Sequence, residues 1–175
     1  YKRQVAGFVY KGHELYKQAL EKISISDKVA EIKSDENYTK LEDMSEFYKD
    51  AVIAVEDRRF YEHGAIDPIA LARAIYSNIK AKELREGGST ITQQLVKNSF
   101  LSQKKTFTRK IAEFFLAPEI EKMYTKPQIM EYYCNSNYYG NRCYGIGNAA
   151  SYYFHKNADQ LTLSEAALLV GLSNC

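Results

Sequence analysis

The most informative stretch of this chain reads Gly87-Gly88-Ser89-Thr90-Ile91-Thr92-Gln93-Gln94-Leu95-Val96-Lys97-Asn98. Two glycines and two hydroxyl residues precede a mixed apolar and amide run, which is the pattern of a loop that enters a helix. Unpaired backbone N–H groups at a helix start, together with the helix dipole and hydroxyl donors, can hold a phosphate. An ordinary N-capped helix with a solvated polar face gives the same pattern, so this stretch alone leaves both interpretations open.

A second informative segment lies about thirty residues upstream and ends in two acids. Residues 51–55 are five consecutive apolar residues, and Glu56 and Asp57 follow directly. The apolar run predicts a buried helix, for which Ser45 is a suitable N-cap. A carboxylate at the end of such a run is partly desolvated, which raises its pKa and makes it a better proton acceptor near neutral pH. A surface ion pair with a neighbouring arginine is the alternative.

Basic residues cluster between positions 97 and 126, where seven lysines and arginines stand against three glutamates. Arg109 and Lys110 lie four and three residues before Glu113, so all three side chains can face one site on a helix. Clustered cations beside a glycine-led helix start favour an anionic ligand with more than one charge. A solvated, charged helix face remains the alternative for this segment.

Composition limits the class of protein. A chain of 175 residues with 45% hydrophobic content can bury one core, so we expect a single domain. The net charge of +2 is too small to indicate nucleic-acid binding. The three histidines are scattered along the chain, so no histidine metal site is expected.

Capping residues and apolar spacing predict a mostly helical chain. The predicted helices span residues 12–23, 45–56, 67–82, 89–99, 106–123 and 148–154, and two more follow the caps Thr125 and Thr162. Residues 24–40 are charged and rich in Ser and Asp, which indicates a linker or irregular arm. Pro118 predicts a kink or a restart within the helix at 106–123. The apolar stripe of the helix at 67–82 fits either a core face or a membrane contact.

Five segments taken together resemble the motifs of the family 51 glycosyltransferases. These are the peptidoglycan glycosyltransferase modules of class A penicillin-binding proteins and of their monofunctional relatives. The matching segments are residues 56–63, 87–98, 109–113, 126–135 and 147–154, the last with a trailing helix at 163–169. Their order and spacing agree with the family from about residue 38 to residue 172.

The resemblance implies a mainly α, lysozyme-like fold. A helical lobe and a smaller membrane-proximal lobe would enclose the active-site cleft between them. Residues 1–40 would be an N-terminal arm that follows a missing membrane anchor, and residues 41–175 a glycosyltransferase domain truncated at its C-terminus. Family members act at the bacterial cytoplasmic membrane with the catalytic domain on the outer face, which is the location the resemblance implies here.

The same resemblance implies the reaction and its residues. The substrate would be lipid II, polymerised with inversion into glycan strands as undecaprenyl diphosphate leaves. Glu56 would be the general base and Glu113 the second catalytic carboxylate. The implied partners are lipid II, the growing glycan strand, the membrane and a moenomycin-like inhibitor, but not nucleic acid. The implied substrate-binding residues are Asp57, Phe60, His63, Ser89, Thr90, Gln94, Lys97, Asn98, Lys105, Arg109 and Lys110.

The chemistry of a diphosphate leaving group fits this inventory of side chains. Such a group needs neutralisation of its developing charge and one base for the attacking hydroxyl, rather than the acid that a glycoside hydrolase uses. No cofactor is required, although Glu113 either orients Arg109 and Lys110 or helps to hold Mg²⁺ or Mn²⁺. Two alternatives stay open at this stage: a lysozyme-like enzyme that cleaves glycan, and a truncated, non-catalytic module that binds lipid II.

Overall fold

The fold is built from α-helices. The computed structural model describes residues 2–81, 87–101, 104 and 106–173, with the side chains of residues 2 and 3 left aside; Lys105 lies outside these ranges. Their helices are α1 (Lys2–Lys22), α2 (Ile25–Lys33), α3 (Glu46–Glu56), α4 (Pro68–Ala81), α5 (Ile91–Phe100), α6 (Phe107–Met123), α7 (Lys126–Ser136), α8 (Ile146–Phe154) and α9 (Leu163–Leu172). Two 3₁₀ turns occupy Leu41–Asp43 and Ala158–Gln160.

The mainly α class predicted from the sequence is therefore confirmed. Within the described ranges the β-structure is a single antiparallel bridge between Tyr138 and Tyr144. The predicted helices all occur, with α1 and α8 beginning earlier than expected. The division into two lobes with a cleft between them stays a prediction.

Helix α5 lies at the centre of the core. It packs against both α6 and α7, and its Ile91, Leu95 and Val96 are buried. Ile129 and Met130 of α7 are fully buried in the same cluster. Because close-packed interiors hold their side chains in place, residues on α5 have fixed positions relative to those on α6.

Helix boundaries follow the capping residues that the sequence predicted. Thr106 begins α6, and its side chain accepts a hydrogen bond from the backbone N–H of Arg109 at 3.1 Å. Thr162 and Glu165 form a reciprocal capping box at α9, in which Thr162 N donates to Glu165 Oε2 at 2.8 Å. These caps fix where α6 and α9 start.

The prediction of an irregular arm at residues 24–40 is wrong for its first half. Helix α2 begins after Ser24, whose side chain accepts a hydrogen bond from Asp27 N at 3.1 Å. Ile25 and Val29 lie four residues apart and are both buried in the main core. The charged residues between them conceal this short apolar stripe in the sequence.

Helix α6 continues through Pro118 without a restart, and Leu116, Ala117 and Ile120 are buried around this residue. A kink at Pro118, the other expectation, stays a prediction. One further expectation about helices needs correction. The apolar run before Glu56 is not wholly buried. Val52 is buried, but Val55 is 62% exposed, so this end of α3 reaches the protein surface.

Helix α4 presents its apolar residues to the outside. Ile69, Ile75, Tyr76 and Ile79 are all exposed, whereas Ala74 is buried. The interpretation of this stripe as a core face is therefore wrong. None of the helices within the described ranges is long and apolar enough to cross a bilayer.

Candidate active site

Glu56 is the last residue of α3, and its carboxylate is held by an amide. Gln94 Nε2, from α5, donates a hydrogen bond to Glu56 Oε2 at 2.6 Å. Both side chains are half-buried. The hydrogen bond fixes the orientation of the Glu56 carboxylate relative to α5.

The adjacent acid, Asp57, has a different environment. It is buried, and its Oδ1 lies 2.8 Å from His63 Nε2. Its Oδ2 accepts a hydrogen bond from Ile91 N, the first residue of α5, at 3.1 Å. Asp57 therefore ties the loop after α3 to the start of α5, while Glu56 is left to face the site.

The start of α5 does not offer the unpaired N–H groups that its sequence suggested. Ile91 N is paired with Asp57, and Gln93 N donates to Thr90 Oγ1 at 3.1 Å. Thr90 is itself buried, and its hydroxyl donates to the carbonyl of Ala65 at 2.7 Å. The N–H groups of Ile91 and Gln93 are therefore already paired, and a phosphate site at this helix start stays a prediction.

A buried glutamate organises two cations on α6. Lys110 Nζ donates to Glu113 Oε2 at 2.6 Å and to Ser89 Oγ at 2.5 Å. Arg109 Nη1 lies 3.1 Å from Glu113 Oε1. The angles of that contact do not meet hydrogen-bond geometry. Three atoms are therefore buried without a hydrogen-bond partner among the described residues: Arg109 Nε, Arg109 Nη1 and Glu113 Oε1. The cluster therefore retains donors that an anionic ligand can use.

Lys97 adds a third cation from the neighbouring helix α5. Among the described residues it forms no hydrogen bond or ion pair. Burial lowers the pKa of Lys97, and the nearby charge of Arg109 lowers it further, while Glu113 and Glu56 act in the opposite direction. A half-buried ammonium group beside two other cations is costly to hold, and a bound anion would relieve that cost.

A cleft of about 500 Å³ opens next to these groups. It is lined by the end of α3, the loop that follows, the first turns of α4 and residues 87–90. Glu56 and Ser89 line this cleft, and they also contact the α5 and α6 side chains described above. The cleft and the cation cluster thus meet at Glu56 and Ser89.

Other predicted site residues take supporting positions. Phe60 is fully buried, with the ammonium of Lys126 above its ring at 4.5 Å. Asn98 Nδ2 donates to Asn137 Oδ1 at 2.7 Å. Their roles in substrate binding stay predictions, and Lys105 lies outside the described residues.

The sequence reasoning missed two partners of this site. Asn137 is a buried polar residue that fixes Asn98, and its place in a tyrosine-rich loop gave no signal. Asp67 precedes α4, and its Oδ1 accepts hydrogen bonds from Ile69 N at 2.9 Å and Ala70 N at 3.1 Å. It also accepts two hydrogen bonds from the Arg59 guanidinium, at 2.8 and 3.2 Å, and lines the cleft.

One group of side chains has the composition of a metal site. Ligand atoms of Asp57, His63 and Asp67 lie within 4.8 Å of one another. Both oxygens of Asp57 and both of Asp67 already accept hydrogen bonds, and His63 Nδ1 lies 2.5 Å from the carbonyl of Gly64. These contacts make the three residues part of one hydrogen-bonded network that also includes Arg59 and Ile91 N.

Comparison with known proteins finds relatives that match most of the chain. Penicillin-binding protein 1A of Neisseria flavescens is 49% identical over 135 residues, which cover 77% of this chain but 17% of that protein. The protein of the same name from Vibrio cholerae is 47% identical over 133 residues, or 76% of this chain and 16% of its own length. The chain thus spans about a sixth of these relatives. The family model described as Transglycosylase matches residues 24–175, a range that contains Glu56, Gln94, Lys97 and the α6 cluster, and the chain belongs to that family.

Proposed function

We propose that this chain is a peptidoglycan glycosyltransferase domain that polymerises lipid II into glycan strands. Undecaprenyl diphosphate is the leaving group, and the anomeric centre is inverted. The domain acts on the outer face of the bacterial cytoplasmic membrane. A moenomycin-like phosphoglycolipid binds as an inhibitor, because it offers a lipid-linked phosphate to the same cations.

One observation carries this proposal. A carboxylate fixed by an amide, Glu56, lies within electrostatic reach of Lys97, which forms no ion pair within the described part of the chain. Arg109 and Lys110 stand beside Lys97, and their shared partner Glu113 is buried. One base next to several cations suits transfer from a diphosphate, where the leaving group needs charge neutralisation and no acid.

The reaction follows from these positions. The 4-hydroxyl of the acceptor sugar lies in the cleft, and its oxygen attacks the anomeric carbon of the lipid-linked growing strand. A new C–O bond forms as the bond to the diphosphate breaks, and the diphosphate leaves with the electron pair. Glu56 takes the proton of the attacking hydroxyl. Lys97, Arg109 and Lys110 stabilise the negative charge that develops on the diphosphate.

Glu113 has a supporting role in this scheme. Its two oxygens face Arg109 and Lys110, at 3.1 and 2.6 Å. A metal ion on Glu113 would have to displace both cations. We therefore assign Glu113 to orienting Arg109 and Lys110 rather than to holding Mg²⁺ or Mn²⁺.

The test is polymerisation of purified lipid II in detergent by the wild-type domain and by Glu56→Gln. The amide keeps the size of the side chain but cannot accept the proton, so polymer should form with the wild type and not with the variant. Glu62→Gln is the matched control, because Glu62 is exposed in the same segment, and it should remain active. Circular dichroism and thermal unfolding verify that all three proteins fold.

The outcomes separate the three candidate functions. Activity of Glu56→Gln close to that of the wild type would remove the base assignment. Release of muropeptides from purified cell walls would favour the lysozyme-like alternative. Binding of lipid II without any polymer from the folded wild type would favour a non-catalytic module.

A further inference from the structure

Helix α1 packs lengthwise along α6, the helix that carries Arg109, Lys110 and Glu113. The contacts recur every four residues on both helices, so the two run in the same direction. Phe8 meets Phe107 with ring centroids 6.1 Å apart, and Tyr16 meets Phe115 at 5.9 Å. His13 adds an edge-on contact to Phe115 at 5.1 Å.

The middle of this contact is a glycine. A Cβ atom on Gly12 would lie 2.4 Å from Cγ2 and 2.5 Å from Cβ of Ile111, and 3.1 Å from the carbonyl oxygen of Thr108. Such distances are too short for any side chain, so only glycine allows this approach. Gly7, on the same helix, has nothing within 4 Å of the corresponding position. The requirement for glycine is therefore specific to position 12.

The position of Ile111 determines where the site cations lie. Ile111 directly follows Lys110 and lies two residues after Arg109 and two before Glu113. A shift of α6 would change the 2.5 Å contact of Lys110 with Ser89, because Ser89 lies outside that helix. Helix α1 ends at Lys22, whereas the match to the family model begins at residue 24. The segment that assigns the family therefore does not include α1 or its contact with α6.

We propose that Gly12 is a positioning residue: the close approach of α1 at Gly12 sets the place of α6, and thereby of the cations that bind the donor diphosphate. This inference rests on the proposed function for the identity of the ligand. A Cβ at position 12 would push α6 by about 1 Å, and displacements of that size can cost about 100-fold in activity. Gly12 acts through Ile111 and does not touch the substrate.

The experiment compares Gly12→Ala with Gly7→Ala, which adds the same methyl group to the same helix in open space. The probes are undecaprenyl diphosphate and undecaprenyl monophosphate in detergent micelles, titrated well below the melting temperature of each folded protein. Gly12→Ala should bind the diphosphate about tenfold more weakly and lose preference for it over the monophosphate. Gly7→Ala should stay within about twofold of wild type.

Comparing two probes separates a displaced cluster from a general loss of structure. A variant that is only destabilised would lose affinity for both lipids by the same factor, and that result would overturn the inference, as would unchanged binding by Gly12→Ala.

If Gly12→Ala does not fold, Phe115→Ala takes its place, because Phe115 is partly exposed and makes two of the ring contacts with α1. It should then show the same loss of diphosphate preference, and unchanged preference would overturn the inference.

The proposed function can fail separately. Suppose that the wild-type protein binds undecaprenyl diphosphate but makes no polymer from lipid II. This result would contradict the glycosyltransferase activity, while the binding data would still support the role of Gly12. Wild-type protein that does not prefer the diphosphate would overturn the inference, whatever its activity.

Discussion

Gln94 Nε2 lies 2.6 Å from Glu56 Oε2, and this hydrogen bond joins the end of α3 to the middle of α5. The two residues are 38 positions apart in the chain. Each comes from a different matching segment, and neither alone defines a site. Their contact orients the carboxylate that we propose as the base, and it makes the role of residue 94 testable.

Gln94→Glu should lower polymerisation at neutral pH and recover part of it at higher pH. The substitution keeps the shape of the side chain but places a second carboxylate against Glu56. Two such carboxylates share a proton and ionise together only at higher pH. The acidic limb of the pH–rate profile should therefore move to higher pH, as measured from lipid II turnover between about pH 5 and 9.

Gln18→Glu is the matched control for this variant, because Gln18 is exposed on α1. Its pH–rate profile should coincide with that of the wild type. A profile for Gln94→Glu that also coincides with the wild type would show that Gln94 does not govern the protonation of Glu56.

The sequence predicted the helices well because their start signals are local. Thr106 and Thr162 cap the helices that follow them, and the structure confirms both. The pairing of Asp57 with Ile91 N could not be read from the sequence, because it joins residues 34 positions apart. The burial of Ile25 and Val29 could not be predicted for a related reason. Charged residues surround them in the sequence, and their burial depends on other parts of the chain that pack against them.

Lys97→Met should stabilise the fold and weaken donor binding at the same time. Burial and the charge of Arg109 both lower the pKa of Lys97, so the charged form is held at a cost in the free protein. Removing the charge should raise the free energy of unfolding slightly, because solvent screening reduces the cost of the charge at this half-buried position. Loss of one cation from the diphosphate site should weaken binding of undecaprenyl diphosphate by about tenfold or more.

Urea unfolding and lipid titration on the same samples measure the two effects of Lys97→Met. Lys11→Met serves as the control, because Lys11 is exposed on α1, and it should change neither quantity. A Lys97→Met protein that is less stable than wild type would contradict the view that this cation is held for its ligand.

Asp57→Asn should destabilise the fold much more than Glu56→Gln does, although the two acids are adjacent. Asp57 accepts hydrogen bonds at both oxygens, from His63 and from Ile91 N. An asparagine offers one acceptor and would turn an N–H group toward a donor, so we expect a loss of about 1–3 kcal/mol. Chemical denaturation of both variants measures the difference, and equal stabilities would contradict the structural role of Asp57.

The difference between the two acids also shows what a motif can and cannot convey. Both acids stand in one matching segment, and the resemblance assigned each a place near the substrate. Both acids line the cleft, but Asp57 is 7% exposed and has hydrogen-bond partners at both carboxylate oxygens, whereas Glu56 is half-buried. Glu56 ends α3, whereas Asp57 is its C-cap outside the helix, and the partners that Asp57 finds there come from a distant part of the chain that a local pattern does not contain.

Acid should destabilise the fold through Asp67. Burial alone would raise the pKa of Asp67, but the N–H groups of Ala70 and Ile69 and the Arg59 guanidinium stabilise the carboxylate and lower its pKa overall. The unfolded chain therefore binds this proton at a higher pH than the folded protein does. The stability that Asp67 contributes is present above its ordinary pKa, about 4, and is lost as pH falls through the lower folded value.

Asp67→Asn should unfold more easily at neutral pH and show a flatter dependence of melting temperature on pH below about 4. Asp50→Asn, an exposed control, should follow the wild-type curve; an equally steep acid limb in Asp67→Asn would contradict this assignment.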